Sequence, residues 1–441
     1  MSNEDRTYLC IDLKSFYASV ECVERGLDPF TTNLVVADPE RSEKTICLAI
    51  TPAMKALGVR NRCRVFEIPK GIDYIMAKPQ MHRYMEVSAD IYAVYLRWIS
   101  PQDIHVYSID EVFIDATPYL RLYGLDARGL ANMLMDAVFK ETGVSATAGI
   151  GTNLFLAKVA LDVTAKHAPD RIGYLDEAEF RRSIWHHRPI TDIWNIGPGI
   201  AARLSGYGVF DLAGVCRMDE ALLYKEFGVN AEYLIDHAWG IEPCTIQEIH
   251  DYVPETNSLS NGQVLPCDYS FDEARLVMKE MVDQLALDLV ARQSVAGSIS
   301  LTVGYTRGAA QWEGSRLKPS TWAARHGLEG FSHTGGSRKL AGRTASRRKL
   351  MTAFESLWDE TTSTLHPIRR INLGLGGVVP EEVADVDLFT DVEAEDAERR
   401  LQEAVIAVKG KFGKNALLKA MSLTEKATAR ERHEQIGGHH A

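Results

Sequence analysis

The sequence predicts a multidomain α+β protein, and three observations carry that reading. A chain of 441 residues suggests about three domains at ~150 residues each. Apolar runs of strand length alternate with segments of helical spacing. A polar stretch from Thr245 to Ser260, rich in Asn, Ser and Pro, reads as a linker between two such α/β regions. With 46% apolar and 25% charged residues, composition is ordinary for a globular chain and excludes a disordered or fibrous one.

The elements follow in order. Tyr8-Leu9-Cys10-Ile11 reads as a strand that stops on Asp12. Residues 13–24 are predicted helical, with Phe16, Tyr17, Val20 and Val23 at three- and four-residue spacing. From 25 to 75 the chain is short, mixed and basic, with strand-like Asn33–Ala37 and Thr45–Ile50 and a short helix near Pro52–Leu57. A long helix is expected at 81–99. Two apolar runs, Ile104–Ile109 and Val112–Ala116, flank the acidic pair Asp110-Glu111 as a hairpin. A helix at 127–141, a strand at 144–150 and a helix at 153–166 complete the unit. With the 25–75 insertion set aside, the order is strand, helix, strand, strand, helix, strand, a split βαβ or ferredoxin-like sheet. Its first and third strands are central antiparallel neighbours, so Asp12 and Asp110-Glu111 are expected to meet at one sheet end.

Residues 170–240 read as short-looped helices containing Ile196-Gly197-Pro198-Gly199. After the linker a second α/β unit is expected, with helices at 272–292 and 347–364, strands at 297–305 and 368–376, and a basic irregular stretch between. The tail from 377 starts acidic and ends helical and basic.

The net charge of −11 argues against a nucleic-acid binder only if it is evenly spread, and it is not. Residues 291–350 carry eleven Lys/Arg against Glu313 and Glu329, while 381–403 carry ten Asp/Glu against Arg399 and Arg400. The first region can grip phosphates without regard to sequence; the second cannot. Seven scattered cysteines, none at two-residue spacing, support neither a disulfide framework nor a zinc knuckle and suit a reducing compartment. The polar Met1–Arg6 and the lack of an apolar run near ~18 residues set the expectation of a cytoplasmic protein without a membrane partner.

Asp12, Asp110 and Glu111 gathered together would repel unless a hard cation neutralised them. Oxygen ligands without His or Cys favour magnesium over zinc, and two such ions suit in-line displacement at phosphorus. The start of the helix after Asp12 offers free N–H groups to a phosphate. Tyr17, one turn in, can floor a nucleotide pocket, while the Phe16 ring reads as core.

These residues carry a resemblance. Asp12-Leu13-Lys14-Ser15-Phe16-Tyr17-Ala18-Ser19-Val20-Glu21, Tyr107-Ser108-Ile109-Asp110-Glu111-Val112-Phe113, and Gly149-Ile150-Gly151-Thr152-Asn153 leading through Leu156-Ala157-Lys158-Val159-Ala160 to Lys166 are similar to the Y-family translesion DNA polymerases. The chain most resembles their UmuC-like branch of Gram-positive and related bacteria, and Lys411-Phe412-Gly413-Lys414-Asn415-Ala416 and Ile436-Gly437-Gly438-His439 share its character.

The resemblance implies a right-hand polymerase: palm 1–24 and 76–168, small fingers 25–75, helical thumb 169–244 with a helix-hairpin-helix, α/β little finger 245–376, and a tail 377–441. It implies template-directed addition of deoxynucleoside triphosphates to primer-template DNA with two Mg2+ ions, low fidelity, no proofreading and a place in the SOS response. Asp12, Asp110, Glu111 and the Leu13 carbonyl match the metal ligands. Tyr17 matches the steric gate against a ribose 2′-OH. Phe16, Thr51, Lys55 and Lys166 fall at nucleotide-contacting positions. Thr51-Pro52 stands where many members carry Asn-Tyr, so a tyrosine contact to the triphosphate is absent. Gly197 and Gly199, with Arg338, Lys339 and Arg343, match DNA contacts. Asp385-Val386-Asp387-Leu388-Phe389 resembles the peptide by which such enzymes dock on the bacterial sliding clamp (its beta subunit), with Leu388 and Phe389 entering an apolar groove. A recombinase filament is a further implied partner. Two other readings stay open at this point: a non-catalytic adaptor of the same fold, and a nucleotidyl cyclase with carboxylates on a similar sheet.

Overall fold

The structure, a computed structural model, describes residues 6–255, 257–311, 317, 330–383 and 391–440. The chain divides into two compact units, Met1–Tyr252 with His439–Ala441, and Val253–Gly438. Among the described residues no helix is long and apolar enough to cross a membrane.

The first unit is built on a five-stranded sheet. Its strands are β1 (Tyr8–Leu13), β5 (Ile104–Val106), β6 (Glu111–Asp115), β7 (Ala146–Gly151) and β8 (Ile172–Leu175), in the order β5-β6-β1-β7-β8. β1 is central and antiparallel to both β6 and β7, as the split βαβ order requires. The fifth strand, β8, was not foreseen; it runs parallel to β7 and carries the sheet beyond residue 168.

Period-2 alternation divides β1 between two faces. Tyr8 and Cys10 join Phe113, Leu154, Ala157, Leu161 and Ile246 in one buried cluster. The other face of the sheet meets helix Met81–Tyr95, which packs on helix Ala127–Thr142. Helix Leu154–Val159 lies almost on the backbone of β7, and glycine permits this. A Cβ on Gly149 would stand 2.1 Å from the Ala157 carbonyl oxygen, and one on Gly151 2.1 Å from the Ala157 nitrogen. The helix then widens into a π turn, Ala160–Thr164, a deformation that recurs at functional sites. Gly173 of β8 admits that turn, since a Cβ there would meet Thr164 Oγ1 at 2.2 Å.

Residues 34–77 hold a small sheet, β3-β2-β4, of β2 (Leu34–Val36), β3 (Ala49–Ile50) and β4 (Ile75–Ala77). Val35, Cys47, Ile50, Met54 and Cys63 pack beside it. Residues 177–239 form a helical layer over Phe180, Leu204, Leu223 and Leu234. Asp176, Asp211 and Asp219 each cap a helix start there by accepting a backbone N–H.

The linker expected at 245–260 is largely structured. Thr245 and Glu248 make a capping box for helix Ile246–Asp251, and Ile246 is buried beside Tyr8 and Phe113.

The second unit is a four-stranded antiparallel sheet, β11-β10-β12-β9, of β9 (Asn257–Tyr269), β10 (Ser294–Tyr305), β11 (His333–Thr344) and β12 (Ile368–Pro380). Helices Phe271–Ala291 and Arg347–Thr361 cover one face over Ile299, Leu301, Leu373 and Leu375. β9 and β11 escaped the sequence reading because their residues are polar and largely exposed, so no apolar alternation marks them. The tail's acidic helix, Val392–Phe412, packs on helix Phe271–Ala291.

Candidate active site

The carboxylates are brought together by strand register. Asp12 stands opposite Glu111 across β1 and β6. The Leu13 amide donates to the Asp110 carbonyl at 2.8 Å, tying the hairpin turn to the end of β1. Asp12 continues the Tyr8–Cys10 face, toward helix Leu154–Val159. Burial, and then the charges of Asp110 and Glu111, push the Asp12 carboxyl up to about 7. Asp110 accepts from the Ser108 hydroxyl at 2.6 Å. Glu111, 8% exposed, accepts from Lys158 at 2.9 and 3.0 Å and from the Cys10 thiol at 3.0 Å.

Lys158 belongs to the motif Leu156–Ala160, and the sequence by itself assigns it no role. The signal lay in its surroundings: a lysine inside the apolar run Leu154–Leu161 must find anionic partners. Burial alone would lower its pKa, but Cys10, Glu111 and Asp162 together hold it above the ordinary value.

Among the described residues, no three His, Cys, Asp or Glu side chains close up as a ready metal cage. Glu111 is paired with Lys158 and Asp110 with Ser108. The donor set nonetheless fits a hard cation, being all oxygen and mutually repelling at Asp12.

Opposite charge faces this edge. Lys55 donates to the Ser15 hydroxyl at 2.8 Å, at the start of helix Phe16–Glu24, where Ser15 has φ 51. Desolvation lowers the Lys55 pKa; Asp12 counters it, while Lys14 and Lys166 push it further down. Lys55 thus lies within electrostatic reach of Asp12, with Lys14 and Lys166 near enough to weigh on Lys55, and such a basic cluster suits a polyanion.

Tyr17 is half-buried, and its ring stacks on Tyr84 at 4.5 Å with planes 17° apart. The Tyr84 hydroxyl donates to buried Glu21 at 2.5 Å, so the stack is braced from behind. Burial and then the Asp110 charge raise the Tyr17 pKa.

Two expected nucleotide contacts are occupied otherwise. The Phe16 side chain is 2% exposed and belongs to the core. Thr51 is fully buried; its hydroxyl donates to the Thr32 carbonyl at 2.8 Å and accepts from the Leu34 and Met54 amides. It is the N-cap of helix Pro52–Ala56, with Pro52 in the first turn, and has no capacity left for a triphosphate.

Gly197 precedes helix Pro198–Ser205. A Cβ on Gly197 or Gly199 meets nothing within 4 Å, so packing within this chain does not demand glycine at either position.

On the second unit the uncovered sheet face is built of small polar residues. One row across the strands is Ser337, Ser300, Gly374 and Ser260; the next is Gly335, Thr302, Asn372 and Gly262. Exposed Lys339 shares this face, opposite Ser298. Arg338 points the other way, donating to Ser356 at 3.0 Å and Glu360 at 2.6 Å; it braces strand to helix, which corrects its assignment to DNA. Arg343 is half-buried, its Cγ 3.7 Å from a Cβ built on Gly297. Part of the basic stretch is answered by the tail. Lys349 pairs with Glu395 at 2.5 Å, and Glu398 accepts from Ser346 at 2.7 Å and from the Arg348 amide at 2.9 Å. The clamp-like peptide, with Leu388 and Phe389, lies outside the described residues.

Comparisons with known proteins bear on the family and the fold. The impB/mucB/samB family signature matches residues 11–162, and that of its C-terminal domain matches residues 256–388, together nearly two thirds of the chain. UvrX of Bacillus subtilis (strain 168) is 28% identical over 437 residues, 98% of this chain and 97% of that one. DNA polymerase IV 2 of the same organism is 29% identical over 457 residues, 99% of each chain. Among solved structures, a Y-family DNA polymerase chimera, Dbh-Dpo4(243-245)-Dbh, superposes with a TM-score of 0.63 at 18% identity, covering 85% of this chain and 99% of that one. With the family signatures at both ends, full-length similarity between them and a shared fold, the chain belongs to the impB/mucB/samB family and is a UmuC-like Y-family DNA polymerase.

Proposed function

We propose that the protein carries out template-directed, low-fidelity DNA synthesis past damaged bases, without proofreading, in the SOS response. The observation that carries this reading is the carboxylate edge of Asp12, Asp110 and Glu111, gathered by strand register, with Lys55 beside it at the start of helix Phe16–Glu24 and Lys14 and Lys166 near Lys55. Such a pair of opposed charges suits a triphosphate with its hard cations.

Asp12, Asp110, Glu111 and the Leu13 carbonyl would hold two Mg2+ ions, which when bound supply activation of a primer hydroxyl and neutralisation of the triphosphate. Lys55 and Lys166 receive the phosphates, with Lys14 adding charge. Tyr17, held against Tyr84, would be the ring that excludes a 2′-OH. Lys339 and the flat Ser/Gly face of the second unit suit a duplex backbone, as do Gly197 and Gly199 at their helix start. The Leu388-Phe389 peptide would dock on the sliding clamp.

The test is primer extension on an undamaged template with magnesium. The wild type should extend the primer, and Asp110→Ala/Glu111→Ala should lose at least ~10²-fold in rate while binding DNA within about twofold. Equal extension by both would overturn the reading. A second expectation concerns the gate. Tyr17→Ala should raise ribonucleotide incorporation relative to deoxyribonucleotide by about 10²-fold, measured as the ratio of kcat/KM values. An unchanged ratio would remove Tyr17 from sugar selection.

A further inference from the structure

We infer that Lys158 is the positioning residue of the carboxylate edge: its ammonium fixes Glu111 in place for a divalent cation and so sets cation affinity. This rests on the reading of Asp12, Asp110 and Glu111 as cation ligands.

Lys158 is buried, with its side chain 10% exposed. Its Nζ lies 2.9 Å from Glu111 Oε1 and 3.0 Å from Oε2, and 3.1 Å from Asp162. An ammonium has three donors, and these contacts engage them. No donor remains for a phosphate, and the cations that weigh on Lys55 are Lys14 and Lys166. Lys158 therefore serves the carboxylates and leaves the polyanion to the other lysines.

Its own position is set by backbone. Gly149 and Gly151 let the helix rest on β7, so the Lys158 Cα already stands as close to the sheet as backbone contact allows. The π turn that follows brings Asp162 onto Lys158, and the Thr164 hydroxyl closes it by donating to the Ala160 carbonyl at 2.6 Å. Asp162 steadies the ammonium from the solvent side while Glu111 takes it from within. Without Lys158, Glu111 keeps, among the described residues, the Cys10 thiol, a weak donor, and faces the Asp12 and Asp110 charges uncompensated. The carboxylate would turn away from the edge. Groups that orient a metal ligand in this way are worth about 10–100-fold in metal affinity or activity.

Manganese alone, titrated into the DNA-free protein and followed by its EPR signal, reads this directly. Lys158→Met should bind Mn2+ about 10–100-fold more weakly than the wild type, and Lys158→Arg should recover most of that loss. In primer extension kcat should fall by a similar factor while the KM for the deoxynucleoside triphosphate stays within about twofold, because Lys158 does not reach the phosphates. Mn2+ binding by Lys158→Met that is equal to or tighter than wild type would overturn the inference. Should that variant fail to fold, Lys158→Gln carries the same expectation and the same refutation. A wild type that binds no Mn2+ would instead overturn the reading of the carboxylates themselves.

Discussion

Asp12→Asn is expected to abolish primer extension and, in the cation-free protein, to raise the melting temperature. Both effects come from one physical fact. The Asp12 carboxyl is pushed up to about 7 by burial and then by the charges of Asp110 and Glu111. Its ionised form is thus costly to the fold until a cation arrives. An amide of the same shape removes both the burial cost and the repulsion, worth roughly 4 kcal/mol well above neutrality. The sign with pH follows from linkage. A carboxyl whose pKa is higher folded than unfolded binds more protons in the native state, so stability is present at low pH and lost as pH rises through about 7. In EDTA, the advantage of Asp12→Asn should therefore be several degrees at pH 8 and shrink below pH 6. Added magnesium should raise the melting temperature of the wild type and leave that of the variant nearly unchanged. Extension should fall at least ~10²-fold, the scale of losing one preorganised charge stabiliser. A variant that melts lower than wild type at pH 8 would show that Asp12 is not under repulsion.

Gly149→Ala should be among the most destabilising single substitutions in the first unit. The added Cβ would lie 2.1 Å from the Ala157 carbonyl oxygen and 2.3 Å from the Leu161 nitrogen. Both are backbone atoms, so no rotamer change relieves the contact, and helix Leu154–Val159 must lift off the sheet. The expected cost is about 3 kcal/mol or more, a melting-temperature drop of roughly 6–12 °C. Activity should fall further than stability requires, because the lifted helix carries Lys158 away from Glu111. Gly197→Ala is the matched comparison. A Cβ there meets nothing within 4 Å, so its melting temperature should stay within about 1 °C while affinity for duplex DNA falls. A Gly149→Ala protein melting within about 2 °C of wild type would show that the helix can slide on β7.

The candidate site was legible in the sequence to an uneven degree. The carboxylate edge could be read because the strand–helix order limits the pairings of a split βαβ sheet, and register then places Asp12 opposite Glu111. Elements were read where periodicity was strong, as in β1 and the helices at 81–95 and 127–142. Where residues were polar and exposed, as in β9 and β11, the strands were missed; pairing with a neighbouring strand, absent from local pattern, made them strands. Thr51 and Arg338 show the same limit for single residues. A hydroxyl before a proline can contact a ligand or cap a helix, and an arginine on a strand can face either side. Only burial in one case, and strand register beside helix Arg347–Thr361 in the other, decided between them.

The sequence by itself therefore determined the family's chemistry: which carboxylates, which aromatic and which basic segments the chain possesses, and the strand order that gathers three acids at one sheet end. The tertiary structure alone decided how those charges are balanced. Lys158 reaches Glu111 across 47 residues of chain, the tail's Glu395 and Glu398 meet the basic helix at Ser346–Lys349, and three glycines let a helix close on the sheet. Such pairings depend on distances between segments remote in sequence, and local spacing carries no record of those distances.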